Sequence, residues 1–244
     1  MKILHCVLYS PNEYYQSMYE ITSPYYRQFD DVTTVYYFYQ EDLEEPFKRE
    51  GDRLMIKGKE EYGPGIMEKT VQAFAYFQST LSTYDYVVRS NISTIVRFDL
   101  LLKELMNQTI SYGGYLNNLQ WTDPTSGIHD SRWFGTIYVS GISIIFSSKM
   151  IKELLEHRDR INKEVIDDVA FGLFAKDYSI TPTDLSSSVV WMKDHRYTND
   201  LIPYLESQPN ALFYRNRMNP HCSESRSIDI DQMRQIIAFL QRNY

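Results

Sequence analysis

The stretch that most limits the fold is Tyr84-Asp85-Tyr86-Val87-Val88-Arg89, an aromatic and β-branched run that stops abruptly at Ser90-Asn91-Ile92-Ser93. A short apolar run closed by small polar residues reads as a buried strand. A second stretch, Ile166-Asp167-Asp168-Val169-Ala170-Phe171-Gly172, sets two acids at the head of an apolar helix. In an open α/β sheet, chemistry collects in the loops at the carboxyl ends of the strands. The residues from Ser90 to Ser93 and the diacid are therefore the first places to look for a site.

The rest of the chain alternates strand-like and helix-like segments. Residues 3–9 read as a first strand closed by Ser10-Pro11-Asn12, and residues 32–39 as a second. Residues 53–57, 137–146 and 189–192 are further strands. Helices are expected over 14–29 with an interruption near Pro24, and over 66–79, where Ile66, Met67, Thr70, Val71, Phe74 and Phe77 fall at helical spacing. Others are expected over 98–106, over 149–157 behind Ser147-Ser148, over 167–175, and over 229–242 capped by Asp229 or Asp231. Residues 41–51 are charged and read as exposed. Residues 111–133, rich in Gly, Asn and Thr, read as irregular, and a loop of that length is usually functional. There is no internal repeat and no low-complexity linker. The 244 residues suit one α/β domain with a mixed, mostly parallel sheet flanked by helices.

Composition removes some functions. The net charge of -7 argues against a nucleic-acid partner held by broad phosphate contacts. Cys6 and Cys222 lie far apart, with neither zinc spacing nor a disulfide framework. Residues 1–9 are too short and too poorly flanked for a signal peptide, and no run approaches the ~18 apolar residues of a membrane span. A cytoplasmic protein without a membrane segment is the expectation. The 21 Tyr and 12 Phe read mostly as packing.

Over residues 60–175 one order of motifs stands out: Glu61-Tyr62, Met67-Glu68-Lys69-Thr70-Val71, the strand ending Arg89-Ser90-Asn91-Ile92-Ser93-Thr94-Ile95-Val96, Leu100-Leu101, Tyr138-Val139-Ser140-Gly141, Phe146-Ser147 and Asp167-Asp168-Val169-Ala170-Phe171-Gly172. This order resembles the GT-A glycosyltransferases of the β-1,3-galactosyltransferase and fringe type. Those carry a D-x-Y…K-T helix, then K-T-D-D-D-T-F-V, then C-S-G-G-Y-V-L-S, then E-D-V-Y-V-G. The resemblance implies a GT-A-like single domain, with a nucleotide-sugar-binding half over about residues 1–110 and an acceptor-binding half over about 111–244. It implies transfer of a sugar from a nucleotide sugar, UDP-linked, to a carbohydrate hydroxyl with inversion; the expected lack of a membrane anchor departs from the family's Golgi members and points to a soluble microbial or large-DNA-virus enzyme.

Residue roles follow from the same resemblance. Asp168 matches the general base that deprotonates the acceptor hydroxyl, with Asp167 beside it. Read alone, the two acids would cap a helix and complement its dipole. The family's D-D-D, which holds Mn2+ or Mg2+ against the leaving diphosphate, is replaced by Asn91-Ile92-Ser93. Asn91 and Ser93 offer oxygens but no charge, so the metal motif is degenerate, with His221 as a further metal candidate. Lys69, Arg89, Arg215 and Arg217 are the cationic alternatives for the diphosphate. Tyr9, Ser10, Ser90, Asn91 and Ser93 are expected around the nucleotide sugar, with Tyr9 or Tyr39 stacking on the base. Trp121, Trp133, Ser140 and Gly141 are expected around the acceptor, with His129 and Asp130 in the same loop. The rival reading is a catalytically inactive GT-A-like domain that binds a glycan or a nucleotide. A nucleotidyltransferase would need a Gly-rich basic loop after the first strand, and Tyr9-Ser10-Pro11-Asn12-Glu13 is not one.

Overall fold

The computed structural model describes residues 1–192, 198–217 and 223–243. In chain order its elements are β1 (Ile3–Leu8), α1 (Glu13–Tyr26), β2 (Val32–Gln40), β3 (Phe47–Glu50), β4 (Arg53–Lys57), α2 (Pro64–Tyr76), β5 (Tyr86–Asn91), β6 (Thr94–Val96), α3 (Phe98–Asn107), β7 (Tyr112–Asn118), β8 (Ile137–Ser147), α4 (Ser148–Glu156), α5 (Asp167–Asp177), β9 (Thr183–Asp184), β10 (Val189–Trp191), α6 (Thr198–Glu206), β11 (Phe213–Arg215) and α7 (Ser223–Asn243).

An eight-stranded sheet runs β3-β4-β2-β1-β5-β8-β7-β9, and a three-stranded sheet runs β10-β11-β6. The β4-β2-β1-β5 block is parallel, and β8 lies antiparallel to both β5 and β7. Alternation along β1 divides the core. Ile3 and Val7 face one apolar cluster, while Leu4 and Cys6 face the other. The first cluster is closed by α1, α3, α6, α7 and the small sheet, the second by α2, α4 and α5. Among the described residues no helix is long and apolar enough to cross a membrane.

Several boundaries differ from expectation for physical reasons. Pro24 does not interrupt α1. It sits in the last turn, and the carbonyl it leaves without a helical donor belongs to Glu20, which is exposed to water. The charged segment 41–51 contains β3, an edge strand whose residues Lys48, Arg49 and Glu50 are all exposed. Charge on an edge strand discourages pairing with other chains, and it hides the strand from an apolar pattern. The segment read as irregular contains β7. Gly114 stands there at φ +148, and the pairing with β8 shifts register between Gly114 and Leu116. At the C-terminus, α7 begins at Ser223, so Asp229 and Asp231 are interior residues and not caps.

Candidate active site

The strand order reverses between β1 and β5: β2 and β4 follow on one side of β1, and β8 and β7 on the other side of β5. Ligands in open α/β sheets sit outside the strand carboxyl ends at such a switch point. Leu8 and Asn91 are register partners, so Tyr9-Ser10 and Asn91-Ile92-Ser93 leave the sheet side by side. Because β8 runs antiparallel to β5, its first half extends beyond the end of β5 and carries Tyr138, Ser140 and Gly141 to the same place. A cavity of about 500 Å³ opens there. It brings together Tyr9, Ser10, Lys69, Arg89, Asn91, Ser93, Trp121, Ser140, Gly141, Asp167, Asp168, Arg215 and Arg217.

The diacid arrives on the first turn of α5, which packs on β8. Gly172 permits that contact, since a Cβ there would fall 2.4 Å from the Tyr138 Cβ. The two acids then part company. Asp167 turns into the protein, 1% exposed, and its Oδ2 lies 2.6 Å from Arg89 Nη2 and accepts from the Thr70 hydroxyl at 3.2 Å. Asp168 is half-buried and faces the cavity. Its Oδ2 accepts from Gly141 N–H at 3.0 Å and its Oδ1 from Val169 N–H at 2.9 Å. Burial, then the neighbouring Asp167 charge, push the Asp168 carboxyl up to about 6, against the opposing pull of Gly141 N–H and Arg89. A carboxyl held near 6 suits proton abstraction close to neutral pH.

The cations sort by what already holds them. Arg89 is 2% exposed, and besides Asp167 it donates to the Gly141 carbonyl and to Asn91 Oδ1. It is an internal strut between β5, β8 and α5, its charge met by Asp167 although its Nε has no acceptor. Gly141 is what lets it pass, because a Cβ there would sit 2.9 Å from Arg89 Nη1. Lys69 is 1% exposed and lies 2.5 Å from Glu60 Oε2. Arg215 is different. It is 4% exposed and donates from Nη1 to the hydroxyls of Ser93 at 2.7 Å and Thr94 at 3.3 Å. Among the described residues it has no carboxylate partner. Pairing of β11 with β6, which sets Arg215 opposite Thr94, puts it there. Burial, then Arg217 and Arg226, bring its pKa down to about 9.

Five expected positions lie elsewhere. Ser90 does not reach the cavity: its hydroxyl lies 2.8 Å from His5 Nε2 on the other face of β5. His5 is neutral, since burial lowers it to about 3. Trp133 does not line the cavity but packs beside the second apolar cluster, with the Arg132 guanidinium 4.2 Å from its ring. Tyr39 lies under Lys69, 5.4 Å from ring to Nζ, and is not part of the wall. The exposed His129 and Asp130 are not part of it either, and Asp130 caps a short turn through Arg132 N–H. His221 lies outside the described residues.

Tyr9 reaches the wall, but its ring is packed edge-on against Phe38 at 5.3 Å and its hydroxyl donates to Gln16 at 3.0 Å. Sequence reasoning missed Tyr15, Tyr62, Trp191 and Arg226, which also line the cavity. Tyr62 stands in the motif order but was given no role there, and no local motif marks the other three. Trp191 and Arg226 come from the small sheet and α7, which only the fold brings to β5.

Of the two alternatives that the resemblance left open, a weakly held metal does not fit Asn91 and Ser93. Asn91 Oδ1 accepts from Arg89, and Ser93 Oγ accepts from Arg215. Both candidate ligand oxygens are thus occupied by guanidinium donors, and a cation between them would face positive charge. Among the described residues no group of three or more His, Cys, Asp or Glu side chains is placed to hold a metal ion.

No protein-family model and no curated protein sequence matches this chain. Among solved structures it is similar to a glycosyltransferase involved in the glycosylation of the major capsid of PBCV-1, with TM-score 0.51 and 10% identity over 96% of this chain and 100% of that one. It is also similar to the galactosyltransferase LgtC in complex with donor and acceptor sugar analogues, with TM-score 0.47 and 11% identity over 98% of this chain and 95% of that one. The first likeness is one of fold, and the mixed α/β architecture expected from the motif order is the one found.

Proposed function

We propose that this protein transfers a sugar from a nucleotide sugar, UDP-linked first among the candidates, to a carbohydrate hydroxyl with inversion. One observation carries the reading: a half-buried carboxylate, Asp168, and a buried guanidinium that has no carboxylate partner among the described residues, Arg215, open into one cavity at the sheet's switch point. That pairs a base with an anion site, which a displacement on a sugar diphosphate requires. The acceptor oxygen attacks the anomeric carbon as the carbon–oxygen bond to the β-phosphate breaks. The hydroxyl proton passes to Asp168, and the nucleoside diphosphate leaves with the bonding electron pair. Tyr62 and Trp121, 60% and 47% exposed at the cavity wall, offer ring faces to the acceptor.

The oxygens of Asn91 and Ser93, spent on arginines, also favour a second reading: a binding module without turnover. One experiment decides between them. A panel of UDP-, GDP- and TDP-sugars is screened by thermal shift, and each binder is then incubated with oligosaccharide acceptors. Binding with product supports the transferase, and binding without product supports the module. Absence of any shift at millimolar donor removes both.

A further inference from the structure

We infer that Arg215 and Arg217, with Arg226 behind them, form a phosphate-binding site that takes the place of a divalent cation, so that a diphosphate group binds here without metal. The transferase reading supplies the identity of the nucleotide. The charge of the ligand follows from the site itself.

Among the described residues five cationic side chains line the cavity: Lys69, Arg89, Arg215, Arg217 and Arg226. Three are compensated. Lys69 is paired with Glu60, Arg89 with Asp167, and Arg226 with Asp229 at 3.1 Å. Arg215 and Arg217 have no carboxylate partner among the described residues. The Nε of each is buried without a hydrogen-bond acceptor. Buried polar groups are nearly always satisfied, and a buried charge without a counterion is expensive. Arg215 bears the further cost of lying near two like charges. Such a cluster persists where an anion completes it.

The cluster is also built in advance. Arg226 Nη2 donates to the Tyr15 hydroxyl at 3.3 Å, and its guanidinium lies 5.5 Å from that ring. The hydroxyls of Ser93 and Thr94 fix Arg215 in its plane. A guanidinium held in plane presents paired N–H donors to phosphate oxygens. Asp168 and Glu61 line the same cavity, and Arg215, whose charge no carboxylate of the described residues meets, stands at Ser93. A diphosphate there would leave its sugar toward Asp168.

Isothermal calorimetry tests this with inorganic pyrophosphate, UDP, GDP and TDP, each in EDTA and again with excess manganese, on wild type, R215Q and R217Q. Wild type should bind pyrophosphate and a nucleoside diphosphate in EDTA, with affinity falling as salt rises. Each variant should lose about tenfold or more, the scale of a lost charge-assisted hydrogen bond. R217Q guards the test, because Arg217 is only half-buried and its loss spares the core. A folded R217Q that binds pyrophosphate like wild type overturns the inference. So does nucleotide binding that requires manganese, which leaves the transferase reading standing. Metal-free pyrophosphate binding with no nucleotide binding does the reverse: the arginine site stands and the transferase reading falls.

Discussion

At Asp168 and Asp167 two adjacent carboxylates have opposite environments, and their substitution should separate function from stability. Asp168→Asn keeps size and one acceptor for Gly141 N–H but cannot take a proton, so transfer should fall roughly 10²–10⁴-fold with nucleotide affinity unchanged. Full activity in that variant would remove Asp168 as the base. The acid limb of kcat/KM in wild type should bend near pH 6. The stability sign runs the other way. Because the fold raises this carboxyl from 3.8 to about 6, its ionisation opposes folding, and that cost appears as pH rises through 4 to 6 and vanishes below. Asp167→Asn should instead unfold the protein more readily, by about 3–5 kcal/mol, because it strands Arg89 in the interior. In the folded fraction it should shift the acid limb of Asp168 downward, since one neighbouring negative charge is gone. An Asp167→Asn variant with unchanged melting temperature would refute the strut. The pair was legible in the sequence because acids at the head of an apolar helix are conspicuous. The division of labour was not, because it depends on Arg89 reaching across from β5.

Elements carry these residues to within bonding distance, and here glycine matters more than polarity. The α5 helix lies close on β8 because Gly172 has no Cβ to meet Tyr138. Gly172→Ala should force the helix away, cost roughly 1–3 kcal/mol as overpacking does, and lift Asp168 off Gly141 N–H. Its loss of kcat should exceed what its melting temperature explains, measured at a temperature where the variant is fully folded. A loss of stability with normal turnover per folded molecule would mean that the α5–β8 spacing does not set the base. Strands with apolar alternation, such as β1, β2, β4 and β8, could be read from sequence nearly to their ends. β5 and β10 were expected as well, whereas four others could not be read, each for its own reason. β3 is a charged edge, β7 is glycine-bearing and bulged, and β6 and β11 are three residues each, too short for periodicity to register. That last pair matters most for the site, since it places Arg215 beside Ser93.

Across the whole molecule the cavity draws on both ends of the chain. Ser10, Asn91 and Lys69 come from early in the chain, while Arg215, Arg217 and Arg226 come from its last segments, yet all line one space. A diphosphate bridging them would tie the small sheet and α7 to the carboxyl ends of β1 and β5. Saturation at 100 times Kd contributes about 2.7 kcal/mol to the folded state, which for a chain of this size is a rise of roughly 5–10 °C in Tm. The distribution of that gain is the sharper test. A ligand held only by the N-terminal strands would slow amide exchange around residues 8–10 and 89–93. One held by the arginines as well should slow β11 and the first turns of α7 to a similar degree, because opening those elements would require releasing the phosphate. Exchange measured with and without UDP, in EDTA, distinguishes the two patterns. Protection confined to the ends of β1 and β5 would detach the C-terminal arginines from the ligand, while protection in both places would make this nucleotide site one that the chain completes only with its final helix.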